Sequence, residues 1–124
     1  MARILVIDDE QPILDLLSMA LAEAGHEVAT ARDGHQGLQR LASTPFDLVI
    51  TDIVMPVTEG IETIQRLRRI TRQLPILAMS GGGRAGNLDM LDAAGKLGAT
   101  ATLAKPFRPE ELLRLVDDLL AAPL

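Results

Sequence analysis

DLVIT at residues 47–51 is the stretch that decides the fold, and Asp52 follows it directly. The run is short and mostly apolar, and RILVI at 3–7 and PILAM at 75–79 have the same character. Apolar runs of this kind, without alternating polar residues, are typical of strands that are buried on both faces of a parallel sheet. The sequence therefore predicts that these three strands form the centre of such a sheet.

Amphipathic stretches lie between these runs and predict helices. The apolar stripe of the first helix includes Leu16, Leu17 and Leu21, and that of the third includes Ile61, Ile64, Leu67 and Ile70. Weaker strands are predicted at 27–30 and 100–104, and helices from Pro12 to about Ala24, over 34–42, from a Thr58 cap to Ile70, around 88–97, and from Pro109 to about Ala121. The alternation of strand and helix predicts an α/β fold, a doubly wound parallel sheet with right-handed crossovers.

The composition limits the classes of function. A chain of 124 residues fits one domain, spanning 1–124, without a separate output domain. The absence of cysteine excludes disulfides, thiolate metal sites and cysteine nucleophiles. A net charge of −5 argues against electrostatic binding to nucleic acid. The start turns acidic too early for a signal peptide, and no apolar run approaches membrane-spanning length, so we expect a cytoplasmic protein without membrane contact.

Chemically active side chains follow the predicted strands at the point where each strand ends. Asp8 and Asp9 follow the first strand, Asp52 the third, Ser80 the fourth and Lys105 the fifth. In a doubly wound sheet, ligands bind beyond the carboxyl ends of the strands. The fold therefore brings three carboxylates, a hydroxyl and an amine to one edge.

This combination predicts phosphoryl chemistry at a metal site. Clustered carboxylates repel each other, and a divalent cation such as Mg²⁺, or Mn²⁺ in its place, removes that repulsion. An aspartate can serve as a nucleophile and form an acyl phosphate, whose oxygens Lys105 and Ser80 could bind. Each residue alone has an ordinary explanation as a turn, helix-start or surface residue, but their coincidence at the strand ends favours a site.

Five motifs resemble the receiver domain of two-component response regulators, over essentially all 124 residues. They are VIDDE at 6–10, TDIVMP with Gly60 at 51–60, AMS at 78–80, LGA at 97–99 and LAKPF at 103–107. The resemblance implies the flavodoxin-like (βα)5 fold with strand order 2-1-3-4-5. It also implies that the phosphoryl donor is a phosphohistidine on a sensor histidine kinase or a histidine phosphotransfer protein. The chain would catalyse only its own phosphorylation and dephosphorylation, and would switch a downstream partner or relay the phosphoryl group.

The resemblance implies a role for each matched residue. Asp52 would be the phosphoacceptor and, with Asp9 and the backbone carbonyl of Val54, a Mg²⁺ ligand, while Asp8 would act through a bound water. Lys105 would contact the phosphoryl group. The peptide bond between Lys105 and Pro106 would be cis. Ser80 would move to hydrogen-bond the phosphoryl group and so transmit the signal.

Two features depart from the family pattern. Thr102 stands where members carry Tyr or Phe, so no aromatic switch is available. Glycines enrich the loop at 81–87, and we hypothesise that this loop and the next helix reorder instead. Val54 and Gly82 offer no polar group to orient water, which predicts slow self-dephosphorylation.

Several alternatives remain open at this point. The chain could be a pseudo-receiver that binds partners without phosphorylation, a flavin or nucleotide binder, or a phosphohydrolase whose nucleophile follows the first strand. The acidic turn at 8–10 disfavours a bare phosphate ligand.

Two surface features also have alternative interpretations. Arg66, Arg68, Arg69 and Arg72 are expected on a solvated face, or otherwise to form a docking patch for an acidic partner. The apolar last helix allows a monomer or a weak homodimer.

Overall fold

A computed structural model of the chain describes residues 2–52, 59–80 and 98–121, without the side chains of 59–61 and 80. Its strands are β1 (Arg3–Ile7), β2 (Glu27–Ala31), β3 (Leu48–Asp52), β4 (Ile76–Ser80) and β5 (Ala101–Ala104). Its helices are α1 (Gln11–Glu23), α2 (Gly34–Ser43), α3 (Glu59–Ile70) and α4 (Pro109–Ala121). The Thr58 cap, Val54, the 81–87 loop and the helix predicted around 88–97 lie outside the described residues.

The strands form a single parallel sheet in the order β2-β1-β3-β4-β5, which confirms the expected fold class. In this sheet Ile7 is in register with Thr51, Asp52 with Met79, and Ser80 with Ala104. The carboxyl ends of β1, β3, β4 and β5 therefore lie at one edge, where the predicted site residues follow them.

Helices cover both faces of the sheet and divide the core into two layers. On one face, Leu5, Ile7, Val49, Ile76 and Ala78 pack with Ile64 and Leu67 of α3. On the other face, the intervening strand residues pack with α1 and α4: Ile4, Val6, Leu48, Ile50, Leu77 and Met79 contact Leu14, Leu17, Leu21, Leu112 and Val116. Successive side chains of a strand point to opposite faces, so burial of both faces requires the continuous apolar runs seen in the sequence.

Among the described residues, two large apolar side chains of the predicted helix stripes are exposed. Leu16 is 48% exposed because the buried face of α1 runs through Leu14, Leu17 and Leu21 instead. Ile70 is 62% exposed, because α3 ends at this residue and the buried side chain beyond it is Leu74. Leu16 stands beside the true stripe, about 100° from Leu17 on the helix. Ile70 follows the spacing of the stripe but lies where the helix ends.

The apolar surface of α4 is largely covered within the chain. Leu112 and Val116 are buried, and Leu113, Leu115, Leu119 and Leu120 pack against the same layer while remaining partly exposed. Packing against the sheet thus covers much of the apolar surface of α4, and this apolar surface is the reason that a weak homodimer is considered. No helix in the described part of the chain is long and apolar enough to cross a membrane.

Candidate functional site

The ammonium of Lys105 lies between two carboxylates at the carboxyl edge of the sheet. Its Nζ is 3.0 Å from Oδ2 of Asp8 and 3.3 Å from Oδ2 of Asp52. Asp8 follows β1, Asp52 is the last residue of β3, and Lys105 follows β5. Asp8 is 0% and Asp52 is 2% exposed, so water screens this charge cluster poorly.

The cluster raises the pKa of Lys105 above its ordinary value. Burial alone would lower this pKa, because it penalises the charged ammonium. The hydrogen bond to Asp8 and the charges of Asp52 and Asp8 act in the opposite direction and together outweigh burial. The ammonium therefore stays charged at neutral pH. It places a positive charge next to the carboxylates of Asp8 and Asp52.

Both carboxylate oxygens of Asp8 have partners. Oδ2 accepts from Lys105, and Oδ1 accepts from the backbone N–H of Glu10 at 2.9 Å. The backbone N–H of Asp8 donates to the carbonyl of Ala31, which ties the end of β1 to the end of β2. These bonds fix the carboxylate of Asp8 within the turn between β1 and α1.

Four acids of the described residues come together here. Asp8, Asp9, Glu10 and Asp52 each offer a carboxylate oxygen, and these oxygens all lie within 4.8 Å of one another. Oxygen ligands about 2.1 Å from an octahedral Mg²⁺ are at most about 4.2 Å apart, so small side-chain movements would bring this group onto one ion. Asp9 and Glu10 are exposed and have room for such movements. Hard oxygen donors of this kind fit Mg²⁺ or Mn²⁺.

Glu10 was not predicted as a site residue. From the sequence it belongs only to the acidic turn at 8–10, and the structure places its carboxylate with the three aspartates. The run DDE itself was the available signal, since adjacent residues of a turn can all face the same edge.

The remaining predicted site residues are placed as follows. The Lys105–Pro106 peptide is cis, as the resemblance implies. Thr102 lies exposed on β5. Ser80 ends β4 and its backbone pairs with Ala104, while its side chain and all of Val54 lie outside the described residues.

The arginine cluster at 66–72, around the end of α3, does not form one solvated face as predicted. Arg66, Arg69 and Arg72 are exposed, but Arg68 is half-buried. Its guanidinium donates to the carbonyls of Leu74 and Gly98. The prediction failed for Arg68 because Leu74 lies beyond the end of α3 and Gly98 is 30 residues away, and a helical pattern reveals neither acceptor.

Comparison with known proteins extends over nearly the whole chain. The profile of the family described as "Response regulator receiver domain" matches residues 4–117. The uncharacterized transcriptional regulatory protein YrkP of Bacillus subtilis is 43% identical over 110 residues, which cover 89% of this chain and 46% of that protein. NtrC of Azospirillum brasilense, a DNA-binding transcriptional regulator, is 38% identical over 116 residues, covering 94% of this chain and 24% of NtrC. The chain thus spans about half, or less, of the length of these curated relatives.

Two solved structures of response regulators also match nearly the whole chain. A putative response regulator from Chloroflexus aurantiacus has a TM-score of 0.89 at 32% identity, covering 98% of each chain. The chemotaxis response regulator CheY4 of Vibrio cholerae has a TM-score of 0.82 at 35% identity, covering 96% of this chain and 98% of its own.

Proposed function

This chain belongs to the family of response regulator receiver domains, and we propose that its Asp52 accepts a phosphoryl group from a phosphohistidine. The donor is a sensor histidine kinase or a histidine phosphotransfer protein. The observation that carries the proposal is the position of Lys105. From the end of β5, an outermost strand of the sheet, its ammonium reaches Asp52 and Asp8. A buried ammonium next to a carboxylate is suited to a reaction in which that carboxylate gains the charge of a phosphoryl group.

The transfer forms one bond and breaks one. A carboxylate oxygen of Asp52 bonds to phosphorus, and the bond between phosphorus and the donor imidazole nitrogen breaks, leaving its electron pair on that nitrogen. The product is an acyl phosphate on Asp52. Lys105, whose Nζ is 3.3 Å from Oδ2 of Asp52, is close enough to bind a phosphoryl oxygen of this product.

The acids next to Asp52 fit a resident divalent cation. Receiver domains generally bind Mg²⁺ through an acidic pocket, and the oxygens of Asp8, Asp9, Glu10 and Asp52 form such a pocket here. We propose Asp9, Asp52 and the carbonyl of Val54 as direct ligands. Asp8 would act through water, since Lys105 and the N–H of Glu10 already engage its oxygens. When bound, Mg²⁺ neutralises charge on the carboxylates and on the phosphoryl group.

The consequence of phosphorylation is a change in protein binding or a further transfer of the phosphoryl group. We propose that this takes place in the cytoplasm. Several relatives are named as transcriptional regulatory proteins, and they are about twice as long as this chain. The net charge of −5 supports a protein target rather than direct contact with nucleic acid.

Acetyl phosphate with Mg²⁺, followed by intact mass measurement, tests the proposal. We expect one added phosphoryl group in the wild-type chain, and none in Asp52→Asn or in the presence of EDTA. Asp117→Asn, an exposed acid on α4, is the matched control and should be labelled like the wild type. A wild-type chain that stays unlabelled would support a pseudo-receiver, and labelling that persists in Asp52→Asn would place the phosphoryl group elsewhere.

A further inference from the structure

Arg68 joins three elements at the edge of the sheet opposite the acids. From near the end of α3, its Nη1 donates to the carbonyl of Leu74 at 2.6 Å, just before β4. Its Nε donates to the carbonyl of Gly98 at 2.7 Å, and its Nη2 donates to Oγ1 of Thr100 at 3.0 Å, just before β5. A single guanidinium therefore connects α3 to the beginnings of β4 and β5.

Thr100 attaches the start of β5 to β4. Its backbone N–H donates to the carbonyl of Ile76 at 2.8 Å, and its Oγ1 accepts from the N–H of Ile76 at 3.0 Å. The same Oγ1 accepts from Arg68. Since the hydroxyl oxygen has two acceptor positions, Ile76 and Arg68 together fix its orientation.

The backbone conformation of Gly98 allows the side chain of Arg68 to approach it closely. Gly98 has a φ of +130°, and a Cβ at this position would lie 2.7 Å from Cγ of Arg68. Only glycine allows both this conformation and this close approach. Burial also lowers the pKa of Arg68, but an arginine remains protonated at neutral pH.

The strand β5 is short and is held by its pairing with β4 and by the packing of Ala101 and Leu103 against the core. It has four residues, alternately half-buried and exposed, and among the described strands it pairs with β4 alone. A shift of one residue along a strand moves it by about 3.3 Å and turns each side chain to the opposite face. Lys105 follows β5 directly, so such a shift would remove Nζ from hydrogen-bonding distance of Asp8 and Asp52.

We propose that Arg68 is a positioning residue for the phosphoryl site, because it fixes the start of β5 and, through that strand, places Lys105 against Asp8 and Asp52. This inference rests on the proposed function of Asp52 and Lys105. Arginine is required because it presents several donors in a rigid plane. A lysine at this position could satisfy only part of the group of acceptors.

Arg68→Gln tests this role, with Arg66→Gln as the matched control on the exposed face of the same helix. The readout is the rate at which acetyl phosphate and saturating Mg²⁺ label Asp52. A misplacement of about 1 Å in a catalytic group can cost about a hundredfold, so we expect Arg68→Gln to slow labelling at least tenfold. Arg66→Gln should label like the wild type. An unchanged rate in Arg68→Gln would overturn the proposal.

A double variant separates positioning from a general loss of structure. If Arg68 acts through Lys105, Arg68→Gln should add no further loss to a Lys105→Ala background. Effects that multiply would contradict the inference. Thr100→Val and Thr100→Ser provide a second pair should Arg68→Gln unfold: serine keeps the hydroxyl and should retain the rate, whereas valine should lose it.

Amide hydrogen exchange distinguishes failure of this inference from failure of the proposed function. Arg68→Gln should exchange faster than Arg66→Gln in residues 101–105, and this result does not depend on phosphorylation. Equal exchange in both variants would overturn the inference even where Asp52 is labelled. A wild-type chain without Asp52-dependent labelling would instead overturn the proposed function, and with it the role assigned to Lys105.

Discussion

Lys105 lies 3.0 Å from Asp8 although 97 residues separate them in the chain. The parallel sheet creates this contact, because β1 and β5 both deliver their carboxyl ends to the same edge. Asp52, 3.3 Å from the same ammonium, completes the group from the strand β3. One cation that is 12% exposed thus faces two buried acids, and the site depends on the charge of the residue that follows β5.

Replacing Lys105 with Met should impair both stability and phosphorylation. Removal of one partner from a buried ion pair typically costs about 3–5 kcal/mol, since the other charge stays buried and unpaired. We expect a loss of this size in urea unfolding with EDTA, much of it restored by Mg²⁺. Loss of one donor to a developing charge typically costs about a hundredfold in rate, and we expect that reduction in labelling by acetyl phosphate.

The control for Lys105→Met is Arg108→Met, which removes an exposed cation nearby. Its effect on unfolding should be below about 1 kcal/mol, as for most surface charges. Equal destabilisation by the two variants would show that the contacts of Lys105 with Asp8 and Asp52 contribute little.

The raised pKa of Lys105 predicts a loss of stability in alkali. In the unfolded chain its pKa returns to the ordinary value of 10.5, whereas in the folded, metal-free chain it is higher. The stabilisation is therefore complete below pH 10.5 and is lost as the pH rises from 10.5 through the folded value. Unfolding in EDTA across this range should show a decline that Lys105→Met lacks. With no Tyr or Cys in the chain, few other groups titrate there.

The fold could be predicted where a local pattern has a single physical cause. The apolar runs at 3–7, 47–51 and 75–79 are continuous because both faces of each strand are buried, and all three are strands. The placement of Asp8, Asp52 and Lys105 followed from the geometry of strand ends alone.

The role of Arg68 could not be predicted in the same way. Four arginines share the stretch from 66 to 72, and sequence distinguishes none of them. What selects Arg68 is a group of acceptors at Leu74, Gly98 and Thr100 that exists only after β4 and β5 have paired. The choice of Leu14 over Leu16 likewise depends on where the sheet lies relative to α1.

Gly37→Ala should destabilise the chain, although alanine normally favours a helix. A Cβ at Gly37 of α2 would overlap the side chain of Ile7 in β1, with its Cγ1 at 2.9 Å. Ile7 is 0% exposed, so its side chain could make room only by moving within the packed core. Overpacking of a core typically costs about 1–3 kcal/mol, more than the roughly 1 kcal/mol that alanine gains over glycine in a helix. Gln39→Ala on the exposed side of α2 is the control, and a net gain in Gly37→Ala would contradict the close packing.

Glu10→Gln tests whether the fourth acid of the cluster takes part in metal binding. Its carboxylate oxygen lies within 4.8 Å of those of Asp8, Asp9 and Asp52, so removal of its charge should weaken Mg²⁺ binding. Loss of an outer partner of a metal typically lowers affinity at least about tenfold, and we expect a reduction of that order. Because Mg²⁺ at a hundred times its Kd stabilises a folded chain by about 2.7 kcal/mol, thermal unfolding followed by circular dichroism measures the affinity. The method suits a chain that has no Trp or Tyr for fluorescence. Asp15→Asn, an exposed acid of α1, should bind Mg²⁺ like the wild type, and an equally unchanged affinity in Glu10→Gln would leave Glu10 only as the residue that precedes α1.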